Sequence, residues 1–501
     1  MKDTGRDGSS VEEIDFIPIA IIGAGFSGIA AGCRIKEKLG FSQFKIFERM
    51  DGVGGVWRKQ RYPGVACDIP APLYSLSFAQ STGWSTLTPS GEEIQCYLDG
   101  VCKKYEMINN IQFNTEITDL NWEESSSRWK ISGFRLQREK ERELFSLYAN
   151  VVIIAAGKFY SPNLANIPKL PGIDRFGGRI IHTLDWDDSL NLEGKDVIVV
   201  GSGCTAAQVV PSLLASPHNA GSVTQLMRSA PWVRPKFISE RLMSMWEQYM
   251  PWLTRHIPFL AGITRMIIFV ITESYYYLLF ASSIGRTRFK RHVLRYIHRE
   301  APAEYHEILA PDCEVGCKRF VQDIAWYESL NDPRVHLTTA NLKVFEENAV
   351  VLEDRHCGLE KRIPAQIVVL ATGYDISTFY PSMSTTGRDG VELHRLWTER
   401  GGPQTYLGIA VDKFPNLFIL GGPNSTNGHT SVLINIENGV GYLIQLLKPI
   451  IMGDISTCEV KTDACTRWTS KIQDASNGSV WKTGCSNWYI SKTGWNGTAY
   501  P

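Results

Sequence analysis

Two glycine-rich runs are the first places where this chain could do chemistry. Gly23-Ala24-Gly25-Phe26-Ser27-Gly28 follows an apolar run, Ile17–Ile22, and opens a helical one, Ile29–Leu39. The first glycine permits a tight turn, the second admits a pyrophosphate against the backbone, and the third lets helix and strand pack closely. The helix start adds free amides and partial positive charge for phosphate oxygens. Glu48 ends the next strand, Phe44–Glu48, twenty residues past Gly28. A carboxylate there accepts from ribose hydroxyls and repels a 2′-phosphate, which favours FAD or NAD over NADP.

Gly201-Ser202-Gly203-Cys204-Thr205-Ala206 repeats the design after the strand Val197–Val200, with alanine in the third glycine place, which the pattern accepts. Its next strand, Val223–Met227, ends in Arg228-Ser229. A guanidinium and a hydroxyl suit a 2′-phosphate and favour NADPH. Two nucleotide sites of opposite ribose chemistry point to a flavoprotein reduced by NADPH.

Two strand–turn–helix units are needed to position these motifs. The fold class expected is therefore α/β, with two Rossmann-like dinucleotide-binding domains and a helical insertion in the second. Val151–Ala155 before Ala156-Gly157, and Ile367–Leu370 before Ala371-Thr372-Gly373, read as further buried strands. Their small terminal residues let backbone approach a bulky ligand. The layout expected is a disordered leader over 1–15, a discontinuous FAD domain over 16–170 and 366–501, and an NADP domain over 171–365. Residues 235–305 within the latter are rich in aromatic and aliphatic side chains at helical spacing and are expected to pack on the domains or to roof a substrate cavity. Arg265 and Glu273 interrupt the densest apolar stretch, Met266–Ile271, well short of the ~18 residues a spanning helix needs. No spanning helix is expected. Peripheral contact with lipid stays open as a secondary reading.

The composition bounds the rest. The 501 residues carry 52 basic and 52 acidic side chains, so no global field steers the chain toward nucleic acid, and no nucleic-acid partner is expected. Eleven cysteines at scattered spacing read as reduced thiols packed as small hydrophobes. The polar first residues carry no secretory signal, so a cytoplasmic location is expected and the triplets at Asn424, Asn477 and Asn496 are read as chance. The oligomeric state is left unassigned. Cys313 and Cys317 are separated by three residues, but no second pair with zinc spacing accompanies them, and His336, His356 and Cys357 lack ligand partners at sensible spacing, so no metal is expected. No serine sits in a Gly-x-Ser-x-Gly elbow, and Cys67 lacks a near partner for a disulfide reductase.

More specific are Gly54-Gly55-Val56-Trp57, then Tyr62-Pro63-Gly64, then Cys67-Asp68, and later Phe176-Gly177-Gly178 leading to His182 and Trp186-Asp187. These two patterns resemble the signatures of Baeyer–Villiger monooxygenases, a branch of the class B flavin monooxygenases. The likeness extends through Gly316–Arg319, Ala371–Tyr374, Gly422–His429 and the tail Gly484–Tyr489. It departs at Gln366, where the family usually has an acid, and at Met227, where it usually has glutamine.

The resemblance implies an FAD- and NADPH-dependent monooxygenase that forms a flavin peroxide from O2 and inserts one oxygen atom beside a ketone carbonyl, giving an ester or lactone. It implies catalytic roles for Arg319, a fixed cation, and for Asp68, which orients it. It further implies FAD contacts from Gly23, Gly25, Phe26, Ser27, Gly28, Glu48, Gly55, Val56, Trp57, Asp68 and Tyr74. NADP contacts are implied for Ala66, Cys67, Asp68, Gly201, Ser202, Gly203, Cys204, Thr205, Ala206, Gln208, Arg228, Ser229, Lys318, Arg319 and Trp488. Phe176, Gly178, His182 and Trp186 would couple the domains. The aromatic insertion hints at a bulky lipophilic ketone such as a steroid, terpenoid or polyketide. Competing readings are oxygenation of nitrogen or sulfur, an NADPH-dependent flavoprotein oxidase or dehydrogenase, and a non-catalytic nucleotide sensor.

Overall fold

The computed structural model describes residues 15–136, 141–159, 161–165, 167–235, 240–376 and 379–500. The leader expected over 1–15 lies outside them up to residue 14, and Asp15 already opens the first strand.

The first sheet carries β1 (Asp15–Ile22), β2 (Phe44–Phe47), β3 (Ile111–Gln112), β4 (Thr115–Glu123), β5 (Arg128–Leu136) and β6 (Arg142–Ile154). Its order is Ser384–Thr386, β4, β5, β6, β1, β2, β3, with Leu417–Ile419 paired to the end of β6. The first half of β6 runs antiparallel to β5, and Val152–Ile154 pairs in parallel with Leu417–Ile419. One strand thus joins an antiparallel meander to a parallel nucleotide-binding half. Pro18 precedes the register of β1 with β2, which begins at Ile19↔Phe44, so on that side its missing N–H costs no ladder bond. Helices α1 (Phe26–Leu39), α2 (Val56–Lys59) and α3 (Gly91–Lys104) belong to this half. Gly40, with φ near +60°, ends α1 by donating its N–H to the Lys36 carbonyl, a conformation that suits glycine.

The second sheet is wholly parallel. It orders Val335–Thr338, β9 (Ser222–Leu226), β8 (Asp196–Val200), Ile367–Leu370 and β7 (Arg179–His182), with α4 (Cys204–Leu214) following β8. This corrects the boundary drawn at 365/366, because Ile367–Leu370 is an inner strand of the second sheet. A fully apolar strand fits inside either parallel sheet, so its pattern does not say which one takes it. A three-stranded antiparallel sheet, Asn341–Glu346, Ala349–Glu353 and Glu360–Pro364, stands beside it.

The insertion forms α5 (Glu240–His256), α6 (Phe259–Tyr275), one π turn (Tyr276–Phe280) and α7 (Ser283–Glu300). Against the expectation, Phe259–Phe280 is one continuous 22-residue helical run, long and apolar enough to cross a membrane. Arg265 and Glu273 do not interrupt it because each has a partner in the fold. Arg265 donates to the carbonyls of Pro72 and Ser75 at 2.8 and 2.6 Å and pairs with Glu437 at 3.2 Å. Glu273 pairs with His429 at 3.3 Å.

The thiols also need correction. Cys317 and Cys485 form a disulfide across 168 residues of sequence, while the other nine cysteines are free. Spacing could not reveal a pair that only the fold brings together.

Candidate active site

The turn after β1 is shaped for a pyrophosphate. A Cβ on Gly28 would stand 1.9 Å from the Gly23 carbonyl oxygen, and one on Gly23 2.7 Å from that of Ala155. Gly25 faces Gly55, whose Cα would lie 3.6 Å from a Cβ at position 25. The hollow between these turns is therefore floored by backbone, which fits FAD phosphates. Glu48 is 4% exposed, and its Oε2 accepts from the Ala24 amide at 2.6 Å while Oε1 accepts from Met50 at 3.0 Å. Burial raises its carboxyl above the usual range against those two donors. Trp57 Nε1 donates to Tyr74 Oη at 3.0 Å, and the Phe26 ring meets Tyr74 edge-on at 5.4 Å. Phe26, Trp57 and Tyr74 thus form one aromatic wall, with Ser27 and Val56 half-buried at the two helix starts.

The second cradle repeats this backbone logic. Gly201 has φ near +137°, and a Cβ there would come within 2.4 Å of the Ala371 carbonyl oxygen. Space beyond Gly203 is open. Lys318 Nζ donates to Ser229 Oγ at 2.9 Å, and Ser202 Oγ donates to the Ser229 carbonyl at 3.0 Å. An ammonium, two hydroxyls and the amides starting α4 converge here, a donor set that fits NADP phosphates. Arg228 is exposed at the rim, and its carbonyl accepts from Arg355 Nη1 at 2.7 Å. Sequence reasoning missed Arg355, since it arrives on the small antiparallel sheet with no local motif around it. Gln208 Nε2 donates to the Ala66 carbonyl at 2.9 Å, and its Oε1 accepts from Tyr62 Oη at 2.9 Å. These bonds tie the loop carrying Ala66, Cys67 and Asp68 to α4, beside half-buried Thr205 and buried Ala206.

Between the cradles stands the acid–base pair. Arg319 Nη2 donates to both oxygens of Asp68, at 2.8 and 2.7 Å, with side chains 39% and 15% exposed. Burial alone would raise the Asp68 carboxyl, but the charge and hydrogen bonds of Arg319 outweigh it and hold Asp68 below the usual range. Asp68 in turn lifts Arg319 well above its ordinary value. Cys204 lies 3.8 Å from Asp68 Oδ2, and burial pushes its thiol up to about 11. Cys67 is raised by burial as well, so both remain thiols at neutral pH.

Lys158 is a second residue that the sequence did not single out. It is 8% exposed, donates to Thr426 Oγ1 at 2.7 Å, and lies 4.9 Å from the centre of the Trp488 ring. No carboxylate pairs with it among the described residues. Burial, reinforced by the charge of Arg319, brings its ammonium down to about 7. Trp488 stacks near Tyr489 at 4.5 Å, on the tail that the Cys317–Cys485 bond fastens beside Lys318.

The second signature region packs against the strand Ile367–Leu370 and the turn that follows it. His182 Nδ1 accepts from the Leu184 amide at 3.1 Å, which leaves the proton on Nε2 to donate to the Gly373 carbonyl at 3.1 Å. The ring is neutral, its basicity lowered by burial. Gly178 is required sterically, since a Cβ there would meet the Gln366 carbonyl oxygen at 2.3 Å. Phe176 packs on Phe345 at 5.2 Å. Trp186 lies half-buried against the apolar cluster around the second sheet, and Lys59 of α2 pairs with Asp185 at 2.6 Å.

A family model described as flavin-binding monooxygenase-like matches residues 85–263, and one for an NAD(P)-binding Rossmann-like domain matches 21–87. A Baeyer–Villiger monooxygenase of Pseudomonas aeruginosa is 31% identical over 487 residues, covering 96% of this chain and 87% of that protein. The chain belongs to the Baeyer–Villiger monooxygenase family. Another Baeyer–Villiger monooxygenase, of Streptomyces coelicolor, is 29% identical with 97% and 89% covered. A steroid monooxygenase bound to NADP shares the fold at TM-score 0.78 and 24% identity, over 97% of this chain and 95% of that one. Cyclohexanone monooxygenase from Rhodococcus sp. Phi1 bound to NADP+ gives the same TM-score and identity, over 97% and 94%. This Baeyer–Villiger monooxygenase is thus an NADPH-dependent flavin enzyme whose cofactors are FAD and NADPH.

Proposed function

We propose that this Baeyer–Villiger monooxygenase acts on a bulky lipophilic ketone, with the reaction centred on Arg319. The observation that carries this reading is the Asp68–Arg319 pair standing between two backbone-floored cradles. Bound FAD, reduced by NADPH, supplies the transfer of one oxygen atom of O2 to the ketone, which yields an ester or lactone.

The chain's part is electrostatic. Asp68 holds Arg319 through its Nη2 nitrogen, and the guanidinium so fixed can face a developing oxyanion. Arginine stays charged at any working pH, and its carboxylate partner fixes its position. Asp68, Cys67 and Ala66 lie on the loop bonded to α4 by Gln208, so the pair's placement is linked to the NADP cradle. Glu48 serves the FAD ribose; Lys318, Ser229 and Arg228 serve the NADP phosphate. His182, with its proton fixed on Nε2, positions the turn at Gly373 and transfers no proton.

The ketone reading rests on a cavity of about 620 Å³ lined in part by Phe269, Tyr276, Tyr277, Phe280 and His429. Phe280 approaches Phe320, the neighbour of Arg319, at 6.4 Å. The aromatic side of this cavity fits a large apolar ligand, and Asn424, Asn427, Asn435 and Glu273 line its polar side.

Arg319→Ala is expected to retain FAD, read from its absorbance, and to lose ester or lactone formation. Undiminished turnover would overturn the assignment. Against a ketone panel the wild type is expected to prefer bulky cyclic ketones, and good turnover of short linear ketones with poor turnover of bulky ones would refute the substrate reading.

A further inference from the structure

Fifteen of the 27 large hydrophobic side chains exposed among the described residues lie between Leu242 and Ile284. A surface of this density is unlike the scattered single residues of an ordinary protein exterior. On α6 it is sorted by face. Ala261, Arg265, Ile268 and Thr272 follow helical spacing along the side that meets the FAD domain. Arg265 is held there by Pro72, Ser75 and Glu437, and Thr272 by Thr430 at 3.3 Å. The outer side carries Phe259, Ile263, Met266, Ile267, Val270 and Ile271, each more than 40% exposed. A helix anchored at two levels along one face cannot be surrounded by lipid. The 22-residue run therefore lies along a surface instead of spanning it.

The charge next to this face identifies what covers it. On α7, Ile284 is 66% exposed, and Arg288, Arg291 and Arg295 follow it at steps of four, three and four residues, all exposed. The apolar surface thus continues into a stripe of cations. None of the three arginines pairs with an acid among the described residues, and the sole acidic residue of α7 is Glu300 at its last position. A second copy of the chain is a poor occupant, since a two-fold interface would set these arginines against their own images. Phe269, Tyr276 and Tyr277 are exposed on this surface and also line the cavity beside Phe320.

We infer that the outer face of α5 and α6, with the arginine stripe of α7, rests on an anionic lipid bilayer, so that the substrate cavity opens toward the membrane. Docking stands on the surface alone; its use, delivery of a membrane-dissolved ketone, rests on the substrate reading above.

The test is co-sedimentation of FAD-loaded enzyme with vesicles of phosphatidylcholine alone or mixed with phosphatidylglycerol. Binding is expected to the mixed vesicles, to be weakened by salt, and to fall about fivefold for each arginine replaced in Arg288→Gln, Arg291→Gln and Arg295→Gln. Ile267→Asp with Val270→Asp is expected to abolish it. Retained flavin absorbance and an unchanged melting temperature would show that these variants are folded. No sedimentation with either vesicle, equal binding to both, or a dimer that leaves the vesicles unbound would each overturn the inference. Vesicle binding together with a preference for short ketones would leave docking intact and sink only the substrate reading.

Discussion

Lys158 gives the most discriminating prediction, because rings and a hydroxyl surround this lysine and no carboxylate pairs with it among the described residues. Its ammonium falls from an ordinary 10.5 to about 7, first through burial and then through the charge of Arg319. At about 1.4 kcal/mol per tenfold change in the protonation equilibrium, the fold disfavours the charged form by on the order of 5 kcal/mol. The sign follows from linkage. Below pH 7 the lysine is charged in both folded and unfolded chains, and the fold carries the whole cost. Between 7 and 10.5 the unfolded chain binds the extra proton, so stability climbs with pH. In Lys158→Met this climb disappears, while the lost bond to Thr426 costs about 1 kcal/mol at every pH. Urea unfolding of the FAD-saturated enzymes, with FAD affinity measured at each pH, reads the difference between wild type and variant. The variant is expected to be the more stable at pH 6, and its advantage to shrink by roughly 3 kcal/mol by pH 9. Parallel curves across that range would show that Lys158 titrates like a solvated lysine and would refute the placement.

Other expectations concern the charged groups and the tail. Arg228→Ala and Lys318→Met should each raise KM for NADPH about tenfold or more while leaving the weaker use of NADH unchanged, since a charge-assisted contact to the 2′-phosphate contributes roughly 1.5–3 kcal/mol. An equal loss with both nucleotides would place these cations elsewhere; Arg355→Ala tests whether its contact with Arg228 extends the same site. Asp68→Asn should keep FAD but raise the share of NADPH oxidation that ends as hydrogen peroxide, because Arg319 loses the partner that fixes it; unchanged coupling would remove Asp68 from the centre. Cys485→Ser should lower unfolding stability by about 2–4 kcal/mol and raise KM for NADPH by loosening the tail near Lys318. Wild type treated with dithiothreitol should behave the same way, and indifference of both stability and KM would argue that the tail needs no tether.

What could be read in advance was what is local. Gly23, Gly28 and Gly201 announce their turns because a Cβ at each would strike backbone, and such a clash is written in the residue type itself. Glu48 and Arg228 could be read only as candidates for opposite cofactors, because each follows a strand that comes after a glycine turn. The pairing of Asp68 with Arg319 needed the family resemblance, since 251 residues separate them. Lys158, Arg355 and the Cys317–Cys485 bond carried no local signal, for each acquires its meaning from a partner more than 100 residues away in the sequence. Arg265 shows why counting charges misleads. A hydropathy reading treats it as water-seeking and ends the apolar run, but Pro72, Ser75 and Glu437 take its donors inside the protein. Once it is satisfied on the inner face, the outer face of α6 carries no charge, and the run that looked interrupted becomes a continuous apolar surface. A charged residue sets the polarity of its own helical face only, and the opposite face must be judged by what stands across from it.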